Sequence, residues 1–260
     1  MSTPIPAGSL RPTRTSTISL AGADVLLADR DRSRPFLLLH GGGGAATMAG
    51  FADLLAERTH SRVLLPTHPG FGGTNRPDAL ATTKDLAATY IALLDAFELS
   101  DVTLIGNSFG GWVAAEIALL GSPRVSGAVI VDGIGIEVAD HPVTSVSGLT
   151  PAELAQLSFH DPTRAPRPPA GGGPGPSPDV QALIGYAGPT MSDPTLAGRL
   201  GAVELPVQVI WGESDGIVSP DYGRAYADAL PHSTLTVLPR TGHLPQVETP
   251  EELLGAILDH

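Results

Sequence analysis

A chain of 260 residues can bury about three quarters of its unfolded surface, enough for one sizeable core, and such a length fits one or two domains. The absence of cysteine excludes a disulfide framework, a thiolate metal site and a cysteine nucleophile, so covalent chemistry falls to Ser, Thr, Asp, Glu or Lys. A formal net charge of -12, with 15 Lys+Arg along the whole length, argues against a nucleic-acid partner, which needs a concentrated basic surface.

In chain order, Met1 to Thr17 is rich in Pro, Ser and Thr but lacks the apolar run of a secretory signal. No later stretch approaches the length of an apolar membrane span. Cytoplasmic residence is therefore the expectation, with no membrane partner. Between Thr17 and Arg30 the apolar residues Ile18, Leu20, Val25 and Leu27 alternate around an Ala21-Gly22-Ala23-Asp24 break, which predicts an antiparallel hairpin at a sheet edge. Short apolar runs follow at Phe36 to Leu39, Val63 to Leu65, Val102 to Ile105, Ala128 to Val131, Val207 to Trp211 and Leu235 to Leu238, the length of buried parallel strands. Helical patterns at Met48 to Arg58, Thr83 to Leu99, Phe109 to Leu120, Pro220 to Leu230 and Pro250 to Leu258 alternate with them. The rhythm predicts an α/β fold, a mostly parallel sheet covered by helices on both faces.

Residues 133–201 break that rhythm. They carry one helical stretch, Pro151 to Leu157, and a Pro/Gly/Ala run across 162–178. Proline removes donors and glycine raises the entropy of ordering, so the run is expected to be flexible. The predicted organisation is a core of 1–132 and 202–260 with a lid inserted at 133–201.

Gly106-Asn107-Ser108-Phe109-Gly110 lies between a strand and a helix, the context of a nucleophile elbow, in which small neighbours let the chain turn sharply beneath an exposed serine. His40-Gly41-Gly42-Gly43-Gly44 ends a central strand. Its backbone can present unobstructed N–H groups to a developing oxyanion, and Gly42 with Phe109 is the expected pair, Gly43 the substitute. Thr241-Gly242-His243 follows the last strand and Trp211-Gly212-Glu213-Ser214-Asp215 the one before, which puts both side chains at the carboxyl edge, where α/β sheets gather their chemistry. His243 is then the general base to Ser108 and Asp215 the acid that orients it. Asp132, at the end of the strand Ala128 to Val131, is the competing acid; as a residue of the Gly216 turn, Asp215 alone would be an ordinary turn aspartate. His40 is read as structural, His68 as a candidate pocket residue with Asn107 and Leu244, and the other histidines as exposed turn residues.

With these motifs in place, the chain from Thr17 to Leu258 resembles the lidded α/β-hydrolase superfamily: His40-Gly41-Gly42, Pro69-Gly70-Phe71-Gly72, Gly106-Asn107-Ser108-Phe109-Gly110-Gly111, Trp211-Gly212-x-x-Asp215 and Gly242-His243 occur in the family's order. The resemblance implies a sheet of about eight strands with one antiparallel, a lid that shapes a small-molecule pocket, and no need of a metal or organic cofactor. Asn107-Ser108 and the glycine loop also look like hydrolases that cleave carbon–carbon bonds in ring-fission products. Those relatives commonly carry tryptophan after the histidine, where this chain has Leu244, and use a lid arginine for a substrate carboxylate, for which Arg199 is the candidate. Related epoxide hydrolases and haloalkane dehalogenases use an aspartate at the elbow, and Ser108 argues against both. The expected activity is hydrolysis of a small carboxylic ester, with carbon–carbon bond hydrolysis second and a small-molecule receptor or lyase on the same fold third. No oligomeric state is read from the sequence.

Overall fold

The apolar runs expected to be strands are strands, each a little longer than its run. A computed structural model of the protein describes residues 14–20, 22–30, 35–146, 148–166 and 177–259. The start of the amino terminus, Ala21 of the hairpin turn, most of the Pro/Gly run (167–176) and His260 lie outside the described residues. The strands are β1 Arg14–Leu20, β2 Ala23–Arg30, β3 Pro35–Leu39, β4 Arg62–Thr67, β5 Val102–Asn107, β6 Val125–Val131, β7 Val207–Gly212 and β8 Ser233–Leu238. They form one sheet in the order β1-β2-β4-β3-β5-β6-β7-β8. Strand β2 runs antiparallel to both β1 and β4, and the pairings from β4 through β8 are parallel.

Both faces of the sheet are buried, which is why its central strands read as continuous apolar runs. Side chains alternate across a strand, so Leu37 and Leu39 join one core and Phe36 and Leu38 the other. Helices α1 (Ala46–Thr59) and α9 (Pro250–Leu258) cover the second face through Phe51, Leu55, Leu253 and Ile257. The first is covered by α2 (Thr83–Ala96), α3 (Phe109–Leu119) and α7 (Pro220–Asp228), with Tyr90, Trp112, Tyr222 and Tyr226 among the buried side chains. Helix α2 stops short of the expected Leu99. Glu98 takes a left-handed φ of 51°, and the N–H groups of Glu98 and Leu99 close back onto the carbonyls of Asp95 and Leu94 at 3.0 and 2.9 Å, a Schellman ending that wraps the chain off the helix.

The segment 133–201 is more helical than expected. It holds α4 (Pro151–Ser158), a 3₁₀ turn at Pro162–Arg164, α5 (Pro178–Ala187) and α6 (Leu196–Leu200). Two of these begin at the two ends of the Pro/Gly/Ala run, at Pro162 and Pro178. Asp161 caps the 3₁₀ turn through Thr163 N–H at 3.1 Å, and Ser177 caps α5 through Val180 N–H at 3.3 Å, with Pro178 at the first helical position. A proline there gives up only a donor that has no intrahelical partner. No helix among the described residues is long and apolar enough to cross a membrane.

Candidate active site

Ser108 is the link between β5 and α3, and its backbone sits at φ 56°, ψ −117°, a strained conformation for a residue with a side chain. The turn is this tight because strand and helix nearly touch: a Cβ on Gly106 would run into the Gly110 carbonyl, and one on Gly110 into the Leu39 carbonyl. The Ser108 N–H is held by the Val131 carbonyl at 3.0 Å, and its own carbonyl accepts from Gly111 at 2.9 Å. The positive end of the α3 dipole therefore lies at the serine.

His243 and Asp215 meet after β8 and β7. His243 Nδ1 lies 2.7 Å from Asp215 Oδ2. Asp215 Oδ1 accepts from Ile217 and Val218 N–H at 2.8 and 3.0 Å. These bonds fix the carboxylate, and because Nδ1 faces it, Nδ1 carries the imidazole proton and Nε2 keeps a free lone pair. Asp132, the competing acid, is fully buried and accepts from Gly212 N–H at 2.7 Å through Oδ1. Burial, followed by the neighbouring Asp215 charge, holds its carboxyl well above the usual range. One atom each of Asp132, Asp215 and His243 lie within 4.8 Å of one another, the spacing of an ion site. The His243 and Asp215 atoms already spend their lone pairs and protons on each other and on backbone, which fits a hydrogen-bonded cluster better than a metal cage.

The glycine loop abuts the serine. A Cβ on Gly41 would lie 2.9 Å from Ser108 Cβ, and one on Gly42 would lie 2.8 Å from Leu183 Cδ2 of α5. Gly42 thus lies against Leu183, while Gly43 is exposed and turned toward Thr47. Phe109 opens α3 with its ring buried among His68, Phe71, Trp112 and Tyr186. Leu244 is half-buried directly after His243.

Two candidate pocket residues are engaged in internal hydrogen bonds. His68 is fully buried; its Nε2 bonds the His40 carbonyl at 2.9 Å and its Nδ1 the Tyr90 hydroxyl, so neither nitrogen is free for substrate. The structure makes it a partner of His40, whose Nε2 accepts from His68 N–H at 3.0 Å. The Asn107 side chain donates to the carbonyls of His243 and Val131 at 3.0 and 3.2 Å and accepts from Gln246 at 3.0 Å. It ties the Ser108 turn to the His243 loop. Arg199 is likewise committed elsewhere, to Glu116 at 2.7 and 2.8 Å and Asp193 at 2.9 Å. Glu116 lies eight residues along α3 from Ser108, about 12 Å at 1.5 Å per residue.

Glu248 has a role that sequence reasoning missed. This buried carboxylate accepts from Gly242 N–H at 2.7 Å, Asp161 N–H at 2.8 Å and His160 N–H at 3.1 Å, and so ties the residue before His243 to the 133–201 segment. The His243 N–H adds a bond to the Ser158 carbonyl at 2.8 Å. The only local signal was an acid beside the Pro245 helix start, and its partners are more than 80 residues away in one case and next to the histidine in the other.

Sheet order, the strained serine after β5 and the histidine–carboxylate pair after β8 and β7 are those of an α/β hydrolase. The chain belongs to the alpha/beta hydrolase family, whose model matches residues 36–256, and it is a hydrolase. It is 28% identical over 253 residues to a 2-hydroxymuconate semialdehyde hydrolase of Pseudomonas putida, covering 90% of this chain and 89% of that protein. An uncharacterized hydrolase of Bacillus subtilis is 25% identical over 208 residues, 68% of this chain and 71% of the relative. Among solved structures, a meta-cleavage product hydrolase from Pseudomonas fluorescens shares the fold at TM-score 0.77 and 20% identity, covering 94% and 96% of the two chains. A thermophilic esterase from Thermogutta terrifontis does so at 0.71 and 22%, covering 95% and 97%.

Proposed function

We propose that the protein hydrolyses a small carboxylic ester through an acyl-enzyme on Ser108. The observation that carries this reading is the His243–Asp215 pair: with Nδ1–H committed to the carboxylate, Nε2 is the nitrogen able to take a proton. Ser108 Oγ attacks the carbonyl carbon as its proton passes to His243 Nε2, and the oxyanion is met by the N–H groups of Gly42 and Phe109. The imidazolium returns the proton to the leaving alkoxide, which departs as alcohol. Water then repeats the sequence on the acyl-enzyme: its proton goes to His243, its oxygen to the carbonyl carbon, and the carboxylic acid leaves as Ser108 recovers its proton. Asp215 holds the tautomer and balances the imidazolium charge. The segment 133–201 acts as the lid, with Leu183 over Gly42 giving the acyl side an apolar wall.

Cleavage of a carbon–carbon bond is the second reading, favoured by the similarity to the 2-hydroxymuconate semialdehyde hydrolase over nine tenths of this chain. The engagement of Arg199 by Glu116 and Asp193 leaves that arginine unsuited to a substrate carboxylate, and this favours the ester. Short-chain p-nitrophenyl esters and a dienoic diketone acid should be assayed side by side with wild type and Ser108→Ala. Ester turnover abolished by the substitution is expected; diketone turnover exceeding ester turnover would reverse the order of the readings, and ester turnover surviving in Ser108→Ala would overturn the serine mechanism. A single equivalent of product with no further turnover would instead indicate a receptor.

A further inference from the structure

The sequence offered Asp132 and Asp215 as rivals for one role, yet both are buried at the same place. Asp132 closes β6, Asp215 follows β7, and the two carboxyl groups and His243 form one cluster within 4.8 Å. Asp132 has full burial and one backbone donor, Gly212 N–H on Oδ1, and among the described residues no donor reaches its Oδ2. Its carboxyl neighbour in the cluster is Asp215, itself an acceptor. Two buried carboxylates this close cannot both carry charge, and a bond between them needs a proton on one. Since Asp215 Oδ2 faces the His243 proton and Oδ1 faces two backbone N–H groups, the stabilised anion is Asp215 and the proton rests with Asp132.

Building on the proposed triad, we infer that the acid serving His243 is a two-carboxyl unit in which Asp132 and Asp215 share one proton, with Asp132 a positioning residue that can assume the charge when Asp215 cannot. Tyr226 of α7 packs against the next residue, its ring edge 3.7 Å from where a Cβ on Gly133 would be, and burial holds its hydroxyl neutral. The raised acidity range of Asp132, caused first by burial and then by the Asp215 charge, also sets the sign of the pH effect. Remove the Asp215 charge, and Asp132 ionises as pH rises.

The test is a double-substitution cycle of Asp132→Asn and Asp215→Asn, with ester kcat measured from pH 6 to 9 and thermal melts on every variant. Asp215→Asn is expected to lose about a hundredfold and Asp132→Asn/Asp215→Asn about ten-thousandfold, the loss known when a triad histidine has no carboxylate. Residual activity of Asp215→Asn should climb with pH, and that of the double variant should not. A purely structural Asp132 would lower the melting temperature while leaving Asp215→Asn and the double variant equally slow per folded molecule, and that equality would overturn the inference. An Asp215→Asn enzyme of wild-type activity would overturn it too, since one carboxyl would then suffice. If asparagine at 132 prevents folding, Asp132→Ser completes the cycle. Turnover in Ser108→Ala would show that the serine reading has failed, separately from either result.

Discussion

Two histidine sites stand at the same sheet edge, and the difference between them lies in what faces the rings. At the glycine loop, His40 and His68 spend all four ring nitrogens on internal bonds: His40 Nδ1 to the Gly41 carbonyl at 2.8 Å, His40 Nε2 from His68 N–H, and His68 to the His40 carbonyl and the Tyr90 hydroxyl. Among the described residues no carboxylate bonds either ring, and burial pulls His40 down to about 4 and His68 well below its ordinary value. At the other site, His243 gives one nitrogen to Asp215 and keeps the other. A position after a strand thus does not decide how a histidine is used: the proposed base has a carboxylate on one nitrogen and the other available to Ser108, whereas His40 and His68 are held on both.

The sharpest break of this contrast is substitution at each site in turn. His243→Ala is expected to lower ester kcat by roughly 10⁵ to 10⁶ with little change in melting temperature. His68→Ala should do the reverse, lowering the melting temperature by roughly 6–12 °C for a loss of about 3 kcal/mol while kcat per folded molecule stays within about threefold. Scanning calorimetry beside steady-state kinetics would check both, and a catalytic collapse in His68→Ala would erase the distinction.

Acid is the next largest probe. A histidine whose pKa falls on folding binds fewer protons in the native state than in the unfolded one, so stability is whole above the unfolded value near 6.5 and is lost as pH falls toward 4. His40 alone should contribute a loss of about 3 kcal/mol across that window, measurable as a falling urea midpoint between pH 7 and 4. A flat midpoint would mean that the loop histidines are not buried neutral.

The smallest effect sharpens the His243 side. Glu248→Gln keeps one acceptor oxygen but turns an amide donor either toward Asp161 N–H or toward the N–H groups of Gly242 and His160. We expect kcat to fall about ten- to a hundredfold, 1.4 to 2.8 kcal/mol in barrier, with KM affected less. Unchanged kcat together with a lowered melting temperature would make Glu248 a plain structural tie.

What could be read from sequence follows from the range of the forces involved. Strands β3 to β8 are buried on both faces and declare themselves as apolar runs, and the Ser108 turn declares itself because only glycine fits at 106 and 110. Helix α5 is masked in the sequence, since Pro178 and its glycine-rich approach resemble a breaker; the Ser177-Pro178 start is its one local signal. The orientations of His68 and Asn107 were illegible for a different reason. Both sit at the expected edge, but their partners, Tyr90, His40, His243 and Gln246, come from other elements, and no local pattern encodes which way such a side chain turns. Asp132 and Asp215 looked like alternatives because their sharing of one site is visible only when β6 and β7 are side by side.

Incubation with a fluorophosphonate probe, followed by intact mass, peptide mapping and ester assay on the same sample, tests most directly whether Ser108 is activated by His243. One probe per chain on Ser108, turnover falling in step with labelling, and labelling slowed by orders of magnitude in His243→Ala are the expected results. Ester turnover persisting in fully labelled protein, or labelling of Ser108 at an equal rate without His243, would contradict it.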